Sequence, residues 1–122
     1  MVTSDHGEGL EEHGEAVHGF FVYETTLRVP LLFRGPGVVP GSRIQATART
    51  IDLLPTVLDL LGARAPAPRL PGRSLAAVLG GGPQISEVAT YAESLTPRLH
   101  YGWSDLRGEA AALHREIGRA HV

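Results

Sequence analysis

The first nineteen residues, MVTSDHGEGLEEHGEAVHG, are dense in side chains that bind metal ions and transfer protons. Asp5 and His6 are adjacent, and a carboxylate oxygen and a neutral imidazole nitrogen are both ligands for divalent cations. His13 and His18 could donate hydrogen bonds or protons to an anion held beside such a cation. From residue types alone, the stretch predicts either a divalent-cation site or an acidic loop exposed to solvent.

The same stretch contains four glutamates. If all four faced one pocket they would repel an anionic substrate, so at most one or two of them can line it. We therefore expect most of these side chains to be solvated or to hydrogen-bond the loop backbone. They are Glu8, Glu11, Glu12 and Glu15.

The residues around Asp5 indicate how a cation site would be positioned. Residues 1–4 contain Val and Thr, which favour extended backbone, and are expected to be the end of a short strand. Residues 5–19 then form a polar, Gly-rich loop. Side chains that follow a strand end project into the crevice at the carboxyl edge of an α/β sheet. Adjacent strand residues point to opposite faces, but Gly7 would permit the turn that brings two neighbouring ligands to one ion.

Two apolar segments follow this loop. Residues 20–26 suit an extended segment or a short helical turn. Residues 28–34, RVPLLFR, are a continuous apolar run between charged ends, which predicts a strand buried on both faces of a parallel or mixed sheet. Pro30 lacks the N–H that a sheet ladder needs, so it should lie near the start of this strand.

Residues 50–62 carry the clearest helical pattern, with Thr50 or Asp52 available as the N-terminal cap. A short helix over residues 73–79 and a strand over residues 88–94 are predicted further along. The predicted core face of the first helix has the i, i+3, i+4, i+7 spacing of one helical stripe. Its members are Leu54, Val57, Leu58 and Leu61.

Composition limits the class of protein. A length of 122 residues fits one domain, and the absence of cysteine excludes disulfides and thiolate metal sites within the chain. The net charge of −2 argues against a nucleic-acid-binding surface. No apolar run approaches the about 20 residues of a membrane-spanning helix, so no membrane segment is expected.

A series of short motifs, taken in order, resembles the C-terminal half of the motif series of the sulfatases, a family of the alkaline-phosphatase superfamily. The resemblance extends over residues 2–107, and the presence of several motifs in the family's order makes it far more specific than any single one. The motifs are TSDHGE at 3–8, EHG at 12–14, HG at 18–19, YE at 23–24, RVPLL at 28–32, RGPG at 34–37, TIDLLPT at 50–56, GRSL at 72–75 and YAES at 91–94.

The resemblance implies a fold class and a division of the chain. The expected fold is α/β, a partial alkaline-phosphatase-like mixed sheet sandwiched by helices, with the start of a small C-terminal subdomain. Residues 1–85 are the expected C-terminal part of the catalytic domain, and residues 86–115 the beginning of the subdomain. Residues 116–122, EIGRAHV, resemble a translated sequencing adapter and are expected to be a sequencing artefact.

The resemblance also implies a role for each candidate residue. In the family, an Asp-His or Asp-Asn pair after a central strand completes a divalent-cation site, so Asp5 and His6 are the expected metal ligands. Many members have a lysine close to the place of His18, and this chain has no lysine. His18 is therefore the expected catalytic and substrate-binding residue, which would bind the anion or protonate the leaving alcohol. His13 is a further candidate for substrate binding.

The other half of such a site is expected outside this chain. The family's remaining ligands are two consecutive aspartates, and its nucleophile is a formylglycine made from Cys or Ser in a Cys/Ser-x-Pro-x-Arg signature. No such signature occurs here. Met1 is therefore expected to be an internal codon, and the chain a fragment that is inactive alone. The expected cofactor is one divalent cation, which is calcium in a sulfatase and manganese or zinc in a phosphoryl-transferring relative.

The expected reaction of the whole protein is hydrolysis of a small-molecule or glycan sulfate ester. Histidine at the place of the family's lysine also resembles phosphoryl-transferring relatives. The first alternative is therefore a phosphodiesterase, phosphonate hydrolase or phosphoethanolamine transferase of the same superfamily. The second is a non-catalytic α/β module whose acidic loop is solvated surface or a structural cation site. The compartment and the oligomeric state stay open.

Overall fold

The computed structural model describes residues 1–64 and 70–102. Their contacts divide them into two compact units, one built from residues 1–3 and 30–87 and the other from residues 4–29 and 88–102. The predicted domain division stays a prediction, and the adapter-like segment 116–122 lies outside the described residues.

The first unit contains two short strands, β1 (Val2–Thr3) and β2 (Leu31–Leu32). They pair antiparallel, with Val2 opposite Leu32 and Thr3 opposite Leu31. The predicted strand at residues 1–4 is confirmed, and β2 begins directly after Pro30, as expected.

The strand predicted over residues 28–34 is much shorter in the structure. The Arg28 N–H donates to the Glu24 carbonyl at 2.7 Å, and Pro30 has no N–H to donate, so neither can extend the ladder. Burial on both faces was also wrong for the described residues. Leu31 and Phe33 pack on the core while Leu32 between them is 46% exposed, which is the alternation of a strand covered on one face.

The core of this unit is formed where the helix α2 (Leu53–Leu60) meets the short helix α3 (Ala76–Leu79). A 3₁₀ turn, Thr50–Asp52, leads into α2. The predicted helices at 50–62 and 73–79 are thus both confirmed, with shorter bounds. The buried apolar side chains are Ile44, Ala46, Leu75, Val78 and Leu79.

The predicted core face of α2 was wrong for two of its four members. Leu54 and Leu61 are 53% and 74% exposed, while Val57 and Leu58 are half-buried. The fully buried residues here are Thr56 on the helix and Asp52 directly before it, and Leu60 packs on the core. Leucines occupy more than one side of this helix, so apolar spacing could not decide which side turns inward. Hydrogen bonds made by the two polar residues decided it.

Asp52 and Thr56 are fully buried and join α2 to the segment before α3. The Asp52 carboxylate accepts hydrogen bonds from the Arg49 N–H, from the Arg49 guanidinium on both oxygens, and from the Arg73 N–H at 2.9 Å. The Thr56 hydroxyl donates to the Asp52 carbonyl and accepts from the Leu75 N–H at 2.9 Å. Every buried polar group in this set therefore has a partner, which is the condition for burying it at low cost.

Charge and close packing reinforce the same junction. Burial raises the pKa of Asp52, but the hydrogen bonds from Arg49 and Arg73 and the Arg49 charge outweigh it and hold that pKa below its ordinary value of 3.8. Gly72 passes so close to the helix start that an added Cβ would lie 1.9 Å from the Ile51 carbonyl oxygen. The motifs TIDLLPT and GRSL are thus two halves of one structural contact.

The second unit contains the loop 5–19, with a single 3₁₀ turn at Glu12–Gly14, and two short helices. These are α1 (Glu24–Leu27) and α4 (Thr96–Tyr101). The loop prediction and the helical-turn option for residues 20–26 are confirmed. No described helix is long and apolar enough to cross a membrane.

The strand predicted over residues 88–94 was wrong, since that segment contains an isolated bridge at Thr90 and no ladder. Its side chains bond elsewhere instead: the Tyr91 hydroxyl donates to the Glu93 carboxylate at 2.7 Å, and the Ser94 hydroxyl donates to the Gly19 carbonyl. The helix α4 was not predicted. It has proline at its N-terminal end and Gly102, with φ 69°, at its C-terminal cap.

Candidate functional site

The backbone around the Asp-His pair is held against α1. The Gly7 N–H donates to the Thr26 carbonyl at 2.8 Å, and a Cβ at Gly7 would lie 2.0 Å from the Thr25 carbonyl oxygen. Only glycine allows the chain to approach this closely. Gly7 therefore fixes the path of the chain directly after the candidate metal ligands.

Asp5 and His6 are both exposed and linked to each other. The His6 N–H donates to the Asp5 carboxylate at 3.1 Å, and the Ser4 hydroxyl donates to the His6 carbonyl at 2.7 Å. A hydrogen bond from its own backbone N–H, followed by the charge of His6, holds the pKa of Asp5 below 3.8. Asp5 is therefore ionised at neutral pH, as a metal ligand must be.

The tautomer of His6 suits metal binding. Its Nδ1 lies 2.8 Å from the Gly7 carbonyl oxygen. A carbonyl only accepts, so Nδ1 carries a proton. In the neutral ring Nε2 then keeps a lone pair, which is the usual arrangement of a metal-ligating histidine. Nε2 lies 3.8 Å from Asp5 Oδ1. One cation with bonds of about 2.0–2.6 Å could contact both atoms, so the two residues fit a divalent-cation site.

His18 joins this pair across the loop. Its ring stacks on the His6 ring, with centroids 3.7 Å apart and an angle of 23° between the planes. The Glu8 carboxylate contacts the His18 ring, with its two oxygens 3.2 and 3.3 Å from His18 Nδ1. The structure thus brings together the three residues that the sequence singled out as metal ligands and catalyst.

Sequence reasoning missed Glu8, which it assigned to solvent or to the loop backbone. Glu8 and His18 are ten positions apart in a loop without regular periodicity, so no spacing rule predicts their contact. Glu15, in contrast, is the loop-capping glutamate that was expected. It is 6% exposed and accepts hydrogen bonds from the N–H groups of Phe20 and Phe21.

His13 makes a different contact. Its ring stacks on Tyr23 with centroids 4.3 Å apart, and the contacts that join His6, His18 and Glu8 do not include it. It also has a left-handed backbone, φ 56°, which costs free energy in a residue with a side chain. Its predicted part in substrate binding stays a prediction.

The described residues do not form a complete metal site on their own. Nowhere in residues 1–64 and 70–102 is there a group of three or more His, Asp or Glu side chains that could hold a metal ion. Asp5 and His6 are two candidate ligands, and a stable site for a hard divalent cation takes more. Their part in a metal half-site stays a prediction.

Comparison with known proteins gives a consistent picture. The family model described as Sulfatase matches residues 1–63. Arylsulfatase K of Mus musculus is 39% identical over 79 residues, which are 65% of this chain and 14% of the mouse protein. The Delta 4,5-hexuronate-2-O-sulfatase of Bacteroides thetaiotaomicron is 36% identical over 84 residues, 66% of this chain and 17% of that protein.

A solved structure extends the likeness to the fold. A crystal structure of a protein described as a sulfatase from Bacteroides thetaiotaomicron superposes with a TM-score of 0.59 at 34% identity, covering 75% of this chain and 21% of the other. The predicted fold class, a partial α/β domain of the alkaline-phosphatase type, is confirmed. The chain spans about a fifth or less of the length of each of these relatives.

The family model covers just over half of the 122 residues, and its span contains the Asp5, His6 and His18 cluster together with the glycine and helix contacts that hold it. The chain belongs to the sulfatase family.

Proposed function

We propose that the whole protein hydrolyses sulfate esters, and that this chain contributes one half of its divalent-cation site and a histidine on the anion side. The observation that carries the proposal is the stack of His18 on His6, beside Asp5. The names of the relatives, an arylsulfatase and a hexuronate sulfatase, support the reaction class. The substrate class we propose is a small-molecule or glycan sulfate ester.

Asp5 would hold the cation through its carboxylate, and His6 would hold it through Nε2. When bound, the cation offsets negative charge on the ester oxygens. We propose calcium, because a carboxylate-rich site suits a hard cation. The two other aspartates and the formylglycine nucleophile would come from residues outside this chain.

His18 would act on the substrate through Nε2. The Glu8 carboxylate accepts a hydrogen bond from Nδ1, so Nδ1 keeps its proton and Nε2 is the atom that can exchange one. In its protonated form, the ring would donate a hydrogen bond to the sulfuryl group or a proton to the leaving alcohol. His13 is proposed as a second, outer contact for the substrate.

The proposal is tested with the full-length natural protein, its metal content and two substrates, para-nitrophenyl sulfate and para-nitrophenyl phosphate. The Asp5→Asn variant should lose its bound calcium, and its rate of sulfate hydrolysis should fall at least about 100-fold. Mutation of a residue that only hydrogen-bonds a metal ligand already lowers metal affinity or activity about 10- to 100-fold. Asp59→Asn, an exposed aspartate on α2, is the matched control and should change neither.

Three other outcomes would contradict the proposal or favour an alternative. An Asp5→Asn variant with wild-type metal content and activity would rule out the assigned half-site. Faster hydrolysis of the phosphate ester than of the sulfate ester would favour the phosphoryl-transferring alternative. A wild-type protein that binds no metal and hydrolyses neither ester would favour a non-catalytic module.

A further inference from the structure

We propose that Glu15 is a positioning residue, which fixes the turn that presents His18. This inference rests on the proposed function, in which His18 acts on the substrate. Glu15 touches neither His18 nor the Asp-His pair in the contacts described above. Its effect would pass through the backbone of the residues that follow His18.

The first support is the way its carboxylate is buried. Glu15 is 6% exposed, and its Oε1 accepts hydrogen bonds from the N–H of Phe20 at 2.8 Å and of Phe21 at 3.1 Å. Both donors lie within three residues of His18. The Glu15 carboxylate therefore holds the backbone at the end of the turn that carries the His18 ring.

The second support is that Glu15 is itself held in place. Its N–H donates to the Glu12 carbonyl at 3.1 Å, and its carbonyl accepts from the Glu11 N–H at 3.0 Å. Gly9 packs so closely that an added Cβ would lie 2.5 Å from the carbonyl oxygens of Glu15 and Val17. Glu15 is thus anchored to the segment beside Glu8, whose carboxylate contacts the His18 ring.

A second anchor holds the same turn from its carbonyl side. The Ser94 hydroxyl donates to the carbonyl of Gly19, the residue directly after His18. The turn has Gly19 at φ 98°, a backbone conformation that favours glycine. Glu15 therefore holds N–H groups of this turn, and Ser94 holds one of its carbonyl groups. The effect on kcat of replacing Glu15 can be compared with the effect of replacing Ser94.

The two oxygens of Glu15 make a discriminating variant available. Oε1 makes both hydrogen bonds, while Oε2 is buried without a partner in the described part of the chain. The positioning role therefore needs an acceptor more than it needs a charge. Glutamine keeps the acceptor, and alanine removes it.

The experiment compares Glu15→Ala, Glu15→Gln and Ser94→Ala in the full-length natural protein, with Glu12→Ala, an exposed loop glutamate, as the control. We expect Glu15→Ala to lower kcat for para-nitrophenyl sulfate by about 100-fold, because a misplacement of about 1 Å costs that much. KM and calcium content should stay near wild type, since Asp5 and His6 are held by other contacts. Glu15→Gln should restore kcat to within a few-fold, and Ser94→Ala should lower it by about 10-fold.

The proposal is overturned if Glu15→Ala keeps wild-type kcat, if Ala and Gln are equally impaired, or if calcium is lost together with activity. If Glu15→Ala fails to fold, Ser94→Ala carries the test. Lower kcat at unchanged calcium content supports positioning of the turn, and unchanged kcat overturns it.

A spectroscopic readout separates this inference from the proposed function. If the wild-type protein hydrolyses no sulfate ester, the proposed function fails, while the ¹⁵N shifts of the His18 ring still report its position. A shift changed by Glu15→Ala and restored by Glu15→Gln supports the positioning role. A shift unchanged in both variants overturns it.

Discussion

Asp52 and Glu15 are the two carboxylates that the described structure buries, and each lies in a different unit. Both oxygens of Asp52 are bonded, and the Arg49 guanidinium neutralises its charge. Glu15 has only backbone N–H partners in the described residues, and they all bond one oxygen. The first arrangement joins a helix to the next segment of the core, and the second shapes a loop.

The two sites differ in how well their buried polar groups are satisfied and in the strain of the backbone around them. Both oxygens of Asp52 and the Thr56 hydroxyl have hydrogen-bond partners, so their burial is compatible with a contribution of this junction to stability. The loop around Glu15 contains an unpartnered buried oxygen and three left-handed residues with side chains, Leu10, Glu11 and His13. Strain of this kind persists where the surroundings hold it in place, and it is common at functional sites. Changes near Asp52 should therefore affect unfolding, and changes in the loop should affect activity.

The largest effect is expected at Asp52. Asp52→Asn removes the charge that faces Arg49 and replaces an acceptor by an amide donor, so we expect the free energy of unfolding to fall by about 3 kcal/mol. Urea denaturation of the natural protein measures it, with the exposed Asp59→Asn as the matched control. If Asp52→Asn were as stable as Asp59→Asn, the proposed difference between Asp52, which stabilises the fold, and Glu15, which shapes the loop, would be lost.

A smaller effect, on activity, is expected at Glu8. Glu8→Ala removes the acceptor for His18 Nδ1, so the ring loses its orientation and its tautomer is no longer fixed. We expect kcat for sulfate hydrolysis to fall about 10-fold, equivalent to about 1.4 kcal/mol. The unfolding free energy should not change, since both side chains are exposed. Glu12→Ala is the control, and a loss of stability at Glu8 as large as at Asp52 would contradict the comparison.

The smallest effect is a pH dependence that belongs to Asp52. Its pKa in the folded protein is below the ordinary value of 3.8, so its contribution to stability is complete above that value and is lost as the pH falls through the folded pKa. Stability should therefore decline between about pH 5 and pH 2. The decline should be shallower in Asp52→Asn, measured by urea denaturation at several pH values. Parallel pH profiles for the two proteins would refute the assignment.

Much of the candidate site could be predicted because its residues are recognisable in short motifs. Asp5 and His6 are adjacent in sequence, and His18 follows at a distance that the family resemblance supplies. The partner of His18 could not be predicted, because Glu8 reaches it across an irregular loop. Glu15 was predicted only as one of four glutamates expected to be solvated or to bond the loop backbone, and its burial distinguishes it from Glu12.

The fold shows the same division. Local signals placed the first strand, the helix beginning near Thr50 and the short helix ending at Leu79, since these depend on neighbouring residues. The inward face of α2 and the state of residues 88–94 depend on hydrogen bonds between distant segments, such as Arg73 to Asp52 and Ser94 to Gly19. Propensity and periodicity do not contain that information.

The sequence by itself determined the family, the fold class and the identity of the candidate ligands, because motif order and residue chemistry are properties of the chain alone. The tertiary structure decided which groups meet. It stacked His18 on His6, placed Glu8 against His18, buried Glu15 behind the turn and turned Asp52 inward. The physical reason is that a buried or oriented polar group needs partners within about 3 Å, and only folding brings residues ten to seventy-five positions apart to that distance.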